Sequence, residues 1–354
     1  MMIPASTLAA LLLLILALFC WGSWANSQKY LFKWRFELFF YDFSIGVLAS
    51  VLLAAFTLGS MNPQELTVSD NLLIASYRKI AEAVAAGVLV NFAYVLLAAA
   101  TSLSGMAVAF PVSFGIGLIV MSVTNFIGSP ELSNPLLLFG GLGLVLAALV
   151  IDVIACRSHL ASLKQAAKLG PVLDPRTRLP VRTAMTTRGV ILGVLSGIAL
   201  GFFYPVLDSC REGDGGVGPY GVAALMGFGM FFSTLLYMPF FMNFPVYGEP
   251  LQLSDYFKGA RKQHLWGIFG GFVWAVGLVA ALAEAAAPPP VKTGQALAFG
   301  LLQAVPVVAA LWGLLTWREA GGSTQGVKML LLGTLVLYLA GVALVSLSPV
   351  LASK

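Results

Sequence analysis

Ten long apolar stretches alternate with short polar ones along almost the whole chain. They cover residues 5–25, 38–58, 80–100, 105–127, 134–154, 189–208, 220–242, 264–286, 294–316 and 327–348. A helix that crosses the hydrocarbon core of a bilayer needs about 20 consecutive apolar residues, and each stretch reaches that length. None shows the short alternating segments of a membrane β-barrel. The pattern predicts an all-α polytopic membrane protein of ten transmembrane helices. The first stretch lacks a basic leading region and exceeds the apolar length of a signal peptide, so it is expected to be a retained helix. Composition agrees. Of 354 residues, 59% are hydrophobic and 10% charged, with a mean hydropathy of +0.92. A soluble domain carries about a quarter charged residues.

Charge gives the expected orientation. Fifteen of the Lys and Arg residues fall in loops after odd-numbered helices and five on the other side. The richest loop, 156–188, holds Arg157, Lys164, Lys168, Arg176, Arg178, Arg182 and Arg188. Basic residues stay in the cytoplasm during insertion, so this loop is expected inside and both termini outside, in a cell (plasma or inner) membrane. The loop can meet anionic lipid head groups. It lacks a glycine-rich phosphate cradle, so nothing points to ATP hydrolysis. The net charge of +5 is spread over short loops and excludes a nucleic-acid patch. Cys20, Cys156 and Cys210 have no paired spacing, and His159 and His264 fall at loop or boundary positions. No metal, cofactor or disulfide framework is expected. Scattered His and Cys residues also argue against catalysis.

The basic loop divides the chain into five helices (1–155) and five helices (189–354). An odd number per half makes the second half enter from the opposite side, the geometry of two inverted repeats. Ala109-Phe110-Pro111-Val112 in the fourth helix and Ala304-Val305-Pro306-Val307 in the ninth occupy corresponding places. Interrupted helices at matched places point to a transporter's central site, with a simple packing kink as the alternative. Gly193, Gly197 and Gly201, and likewise Gly267 and Gly271, share helix faces and predict close helix approach.

Polar residues at depth are costly and carry function or find a partner. Asn91 and Gln303 sit near the centres of their spans, as does Trp274. Tyr94 shares a face with Asn91, and Trp312 and Tyr204 are further aromatic candidates. The amides either bind a polar solute or join helices. Asp42, Glu82 and Glu319 lie at shallower depth and are the proton-coupling candidates, Glu319 also as a boundary pair with Arg318.

Four stretches carry a family resemblance. They are Trp21-Gly22-Ser23-Trp24-Ala25-Asn26; Tyr41-Asp42-Phe43-Ser44 with Thr57-Leu58-Gly59; Phe244-Pro245-Val246-Tyr247-Gly248 with Asp255-Tyr256; and Gln303-Ala304-Val305-Pro306, then Trp312-Gly313 and Glu319. In this order they resemble the drug/metabolite transporter superfamily, and within it the ureide permeases, relatives of the rhamnose and glucose uptake permeases. The resemblance implies a secondary transporter for oxo-substituted nitrogen heterocycles such as allantoin or uracil, driven by protons. It carries over to Asp42, Gln303, Trp312 and Glu319. The chain also departs from the family. It lacks the nucleotide-binding-type motif of the plant members' central loop, has Leu278 where an Asn is expected, and inserts Pro288–Pro290.

The leading expectation is a solute–proton importer working by alternating access. Asn91, Tyr94, Trp274, Gln303 and Trp312 would hold a small planar solute, with Asp42, Glu82 or Glu319 carrying the proton. A proton-coupled sugar permease and a metabolite exporter of the same superfamily are the alternatives. Oligomeric state is not legible.

Overall fold

The computed structural model describes residues 1–31, 34–61, 67–167 and 187–352. Ten helices are long and apolar enough to cross a membrane. They are α1 (Thr7–Tyr30), α2 (Phe36–Phe56), α3 (Tyr77–Ser104), α4 (Met106–Gly128), α5 (Pro135–His159), α6 (Thr187–Arg211), α7 (Pro219–Asn243), α8 (Arg261–Ala285), α9 (Gln295–Thr316) and α10 (Gln325–Leu347). No strand occurs among the described residues. In hydrocarbon the backbone has no water to bond with, which leaves the helix as the solution for each apolar run. Helix α5 runs on to Ala167, so the first part of the expected loop 156–188 is helical. Residues 168–186 lie outside the described residues, and with them Lys168, Arg176, Arg178 and Arg182. The basic end of the bundle means below the end carrying the loops after odd-numbered helices.

Helix α3 packs on α6 and α7, α4 on α6, α2 on α7 and α8, α1 on α8 and α9, and α5 on α10. Shifting every helix number by five reproduces this set, as an inverted five-plus-five array would. Lipid-facing and interior stripes are distinct. On α1, Leu8, Leu12, Leu16 and Phe19 are exposed while Ala10, Leu14, Ala17 and Trp21 are buried.

Small residues set the closest approaches. At Gly46 on α2 an added Cβ would strike the Ile268 backbone, and at Gly271 on α8 the Phe43 carbonyl. Gly193, Gly197 and Gly201 lie flush on α4, against Val112, Ile116 and Val120. The related pair, α1 on α9, has one such place, Gly22 against Val308 and the Val305 carbonyl.

The two matched prolines behave differently. Pro111 sits inside the continuous helix α4. Helix α9 instead breaks at Ala304 and restarts at Val305, with Pro306 in the first turn of the new segment, where its missing N–H costs little. Helix α1 breaks as well, at Trp24. Side chains bond the carbonyls there. Asn26 Nδ2 donates to the Ser23 carbonyl at 2.9 Å, and Ser27 Oγ at 2.6 Å joins its own backbone N–H on the Trp24 carbonyl. The Tyr338 hydroxyl donates to the Gln303 carbonyl at 3.2 Å. The two broken helices are the two that pack on each other through Gly22.

Gly271→Val overpacks the α2–α8 contact at a cost of about 1–3 kcal/mol. The purified protein should therefore melt several degrees lower by thermal shift. Gly143, with nothing near its added Cβ, is the control, and Gly143→Val should melt as the wild type does.

Candidate solute-binding site

An aromatic box lies among α1, α2, α3, α4 and α8. Its centre is Trp24, at the break in α1, which is 1% exposed. Around it stand Phe43 at 5.1 Å between ring centroids, Tyr94 at 5.6 Å, Phe110 at 6.1 Å and Phe40 at 6.4 Å. Trp274 of α8 closes the box, edge-on to Tyr94 at 5.3 Å and 6.3 Å from Phe43. Trp21 lies 6.4 Å from Trp274 and donates its indole N–H to the Trp274 carbonyl at 3.2 Å. Five helices thus contribute, four from the first half and α8 from the second. Aromatic pairs of this kind contribute about 0.5–1.5 kcal/mol each beyond their burial.

One polar atom of the box stands out. The indole N–H of Trp24 is buried and lacks a hydrogen-bond acceptor among the described residues, whereas that of Trp274 faces the Tyr94 hydroxyl. A buried donor left unmade costs about 1–3 kcal/mol, so such atoms mark places where a ligand's acceptor improves the structure. The rings of this cluster pack on one another, with the Trp24 N–H enclosed among them.

The sequence-derived residues separate. Tyr94 and Trp274 line the box. Asn91 shares a face with Tyr94 but points into α7. Its side-chain nitrogen bonds the Met230 carbonyl, Ser233 Oγ and Thr234 Oγ1 at 3.0, 2.8 and 3.0 Å. Such interhelical bonds contribute about 0.6 kcal/mol on average. Gln303 is 2% exposed at the α9 break, with the Tyr204 hydroxyl facing its side chain. Trp312 is 38% exposed at the rim of the bundle, away from the box, and donates to Ser23 Oγ at 2.8 Å.

At the basic end, three residues of one α1 face close on the end of α9. Ser23 meets Trp312, Asn26 Oδ1 accepts from Trp317 Nε1 at 2.7 Å, and Lys29 forms an ion pair with Glu319. The spacing of three residues puts Ser23, Asn26 and Lys29 on one side of the helix. Glu319 does not pair with its neighbour Arg318. Its two oxygens accept the backbone N–H groups of Met106 and Ala107, both at 2.8 Å, at the start of α4. Those N–H groups have no partner within the helix, and a carboxylate there complements the helix dipole. Gly105, with φ of +82°, makes room, since an added Cβ would collide with the Glu319 carboxyl.

Asp42 forms a second closure at the same end. Its Oδ1 accepts from the Tyr256 hydroxyl at 2.7 Å, and its carboxylate lies 3.0 Å from His264 Nδ1. Burial, and then the hydrogen bond to Asp42, pushes the Tyr256 hydroxyl up, so it remains a donor. Glu82 lies at the opposite end, between Arg78 at 2.9 Å and Lys79 at 3.6 Å, and accepts from Ser209 at 2.8 Å. It is one turn into α3 and far from the box in sequence and in place.

Sequence reasoning placed Trp24, Phe43, Asp255-Tyr256 and Trp317 in or beside motifs without giving them site roles. It missed His264 as the partner of Asp42 and two buried acids, Asp152 and Glu284, each no more than 3% exposed. Glu284 accepts the Thr293 N–H at 3.1 Å and ties the end of α8 to the approach to α9. The segments that carry the family resemblance meet in pairs, the α1 motif with that of α9 and Tyr41-Asp42 with Asp255-Tyr256.

No family model matches the chain. One solved structure, described only as the crystal structure of a protein, aligns over 95% of both chains at 16% identity with a TM-score of 0.46, too low to carry an argument. Ureide permease 4 of Arabidopsis thaliana is 22% identical, over 98% of this chain and 99% of its own length. With its ten apolar spans, the chain is a multi-pass membrane protein similar, from end to end, to a ureide permease.

Proposed function

We propose that this protein is a secondary transporter that imports a small, planar, carbonyl-bearing solute of the ureide or nucleobase class, such as allantoin or uracil. The observation that carries this reading is the unpartnered indole N–H donor of Trp24 inside a buried aromatic box. The solute's ring packs against Trp24, Tyr94 and Trp274, and a carbonyl oxygen accepts from the Trp24 indole. The similarity to a named ureide permease supports the substrate class.

The basic end is the cytoplasmic side in this reading, as the positive-inside rule directs. The Ser23–Trp312, Asn26–Trp317 and Lys29–Glu319 contacts shut that side. Opening them while α1 and α9 rock against the flush pair α4 and α6 supplies alternating access. The breaks at Trp24 and Ala304 lie at the hinge of that motion. Transport is driven by protons. Asp42, Glu82 and Glu319 are all occupied by cationic or hydrogen-bonding partners, so we assign them to holding helices together.

Reconstituted protein should accumulate radiolabelled allantoin or uracil when the outside is more acidic, and a protonophore should abolish accumulation. Trp24→Phe keeps an aromatic ring but removes the donor. It should raise KM about three- to tenfold, the size of a lost hydrogen bond of about 0.5–1.5 kcal/mol. Unchanged KM in this variant, or displacement of the label by monosaccharides and not by ureides, would overturn the reading.

Glu319→Gln weakens the closure. Hydrogen exchange followed by mass spectrometry should show the first turn of α4, at Met106 and Ala107, exchanging about tenfold faster, since bonds to a charged group are worth about 1.5–3 kcal/mol.

A further inference from the structure

One buried acid has a carboxyl oxygen with no hydrogen-bond partner among the described residues. Asp152 lies in the last turns of the apolar part of α5 and is 2% exposed. Its Oδ2 has no hydrogen-bond partner among the described residues. Ala155, Val327 and Leu331 form an apolar patch beside it, joined by Cys156, Leu314 and Ala320. Helix α10 thus presents aliphatic side chains to this face. Among the described residues, the charged group that acts on Asp152 is another acid, Glu319. On its own helix, Cys156 lies one turn on and His159 another, and His159 reaches the Glu319 backbone carbonyl. Lys29 stands behind Glu319 and is already committed to it.

A carboxylate in such a place would be desolvated, within the field of a like charge and, among the described residues, without a compensating cation. The cost of an isolated buried charge is large enough that the group exists instead as a neutral acid. Every other spanning carboxylate described above holds a cation or accepts hydrogen bonds. Asp152 is the exception.

We propose that Asp152 is the proton-binding residue of the transporter, holding a proton while the Glu319–Lys29 closure is shut and releasing it to the cytoplasmic side when that closure parts. The Asp152 O–H bond breaks, the proton passes to water entering the opened end, and the carboxylate left behind is hydrated. With Glu319 still in place beside it, an ionised Asp152 would repel that carboxylate and compete for Lys29. Proton occupancy and the state of the closure are therefore linked. This inference rests on the transporter reading for its role in coupling. The protonated acid itself can be tested without any solute.

Infrared difference spectra of the full-length protein in lipid nanodiscs, taken between neutral and alkaline pH, report the C=O stretch of protonated carboxyl groups. A band present in the wild type at neutral pH should be lost in Asp152→Asn and displaced in Asp152→Glu, which also serves should the Asn variant fail to fold. In proteoliposomes, Asp152→Asn should retain exchange of labelled uracil or allantoin across the membrane. Its accumulation driven by a pH gradient should fall at least tenfold. Spectra identical to the wild type in both variants, or undiminished gradient-driven accumulation in Asp152→Asn, would overturn the assignment. If the band behaves as expected but the wild type moves neither ureides nor nucleobases, the protonated acid stands and the solute reading fails.

Discussion

Every backbone N–H and C=O that crosses the hydrocarbon must find its partner within the protein. Continuous helices meet this requirement by themselves, and most of this chain consists of them. The places where a helix stops or breaks are where side chains must take over. At the α1 break Asn26 and Ser27 take the carbonyls of Ser23 and Trp24, and at the α9 break Tyr338 takes that of Gln303. At the start of α4 the Glu319 carboxylate accepts the first free N–H groups. Functional candidates cluster at these same places, because a broken helix is tolerated only where protein surrounds it.

The second constraint is distance between helices. Without a hydrophobic drive in lipid, helices associate through close packing and interhelical bonds. Glycine at Gly46, Gly271 and along the face of α6 brings backbones into direct contact. The consequence is a difference between related pairs. Helices α4 and α6 are unbroken and flush along three glycines. Helices α1 and α9 are both broken and meet at one. The pair α1 and α9 thus shares fewer close approaches, and Trp24 lies in it.

The charged residues then fall into place around the box. Lys29–Glu319 and Asp42 with His264 and Tyr256 secure the basic end, and Glu82 with Arg78, Lys79 and Ser209 the opposite end. A partnered ion is tolerable at a membrane protein's ends and interior. An unpartnered one is costly, and Asp152 differs from its neighbours in having a carboxyl oxygen with no partner among the described residues.

Length and hydropathy alone determined ten helices, near their observed limits, because the cost of exposing polar backbone to lipid acts on each span independently of the others. The close-packing glycines were legible for the same local reason, since a four-residue spacing defines one helix face. Partnership was not legible. Asn91 and Trp24 each look like a polar group in an apolar run, yet neighbours on α7 take the side-chain nitrogen of one and nothing among the described residues takes the indole N–H of the other. Glu319 beside Arg318 looks like a boundary pair until the turn brings Lys29 and the start of α4 to it. Asp152 gave no signal, because an acid near the end of an apolar run reads the same whether it reaches water or is sealed beneath its neighbours. Tertiary structure decided these cases, since whether a polar group is free depends on what the other helices place within about 3 Å of it.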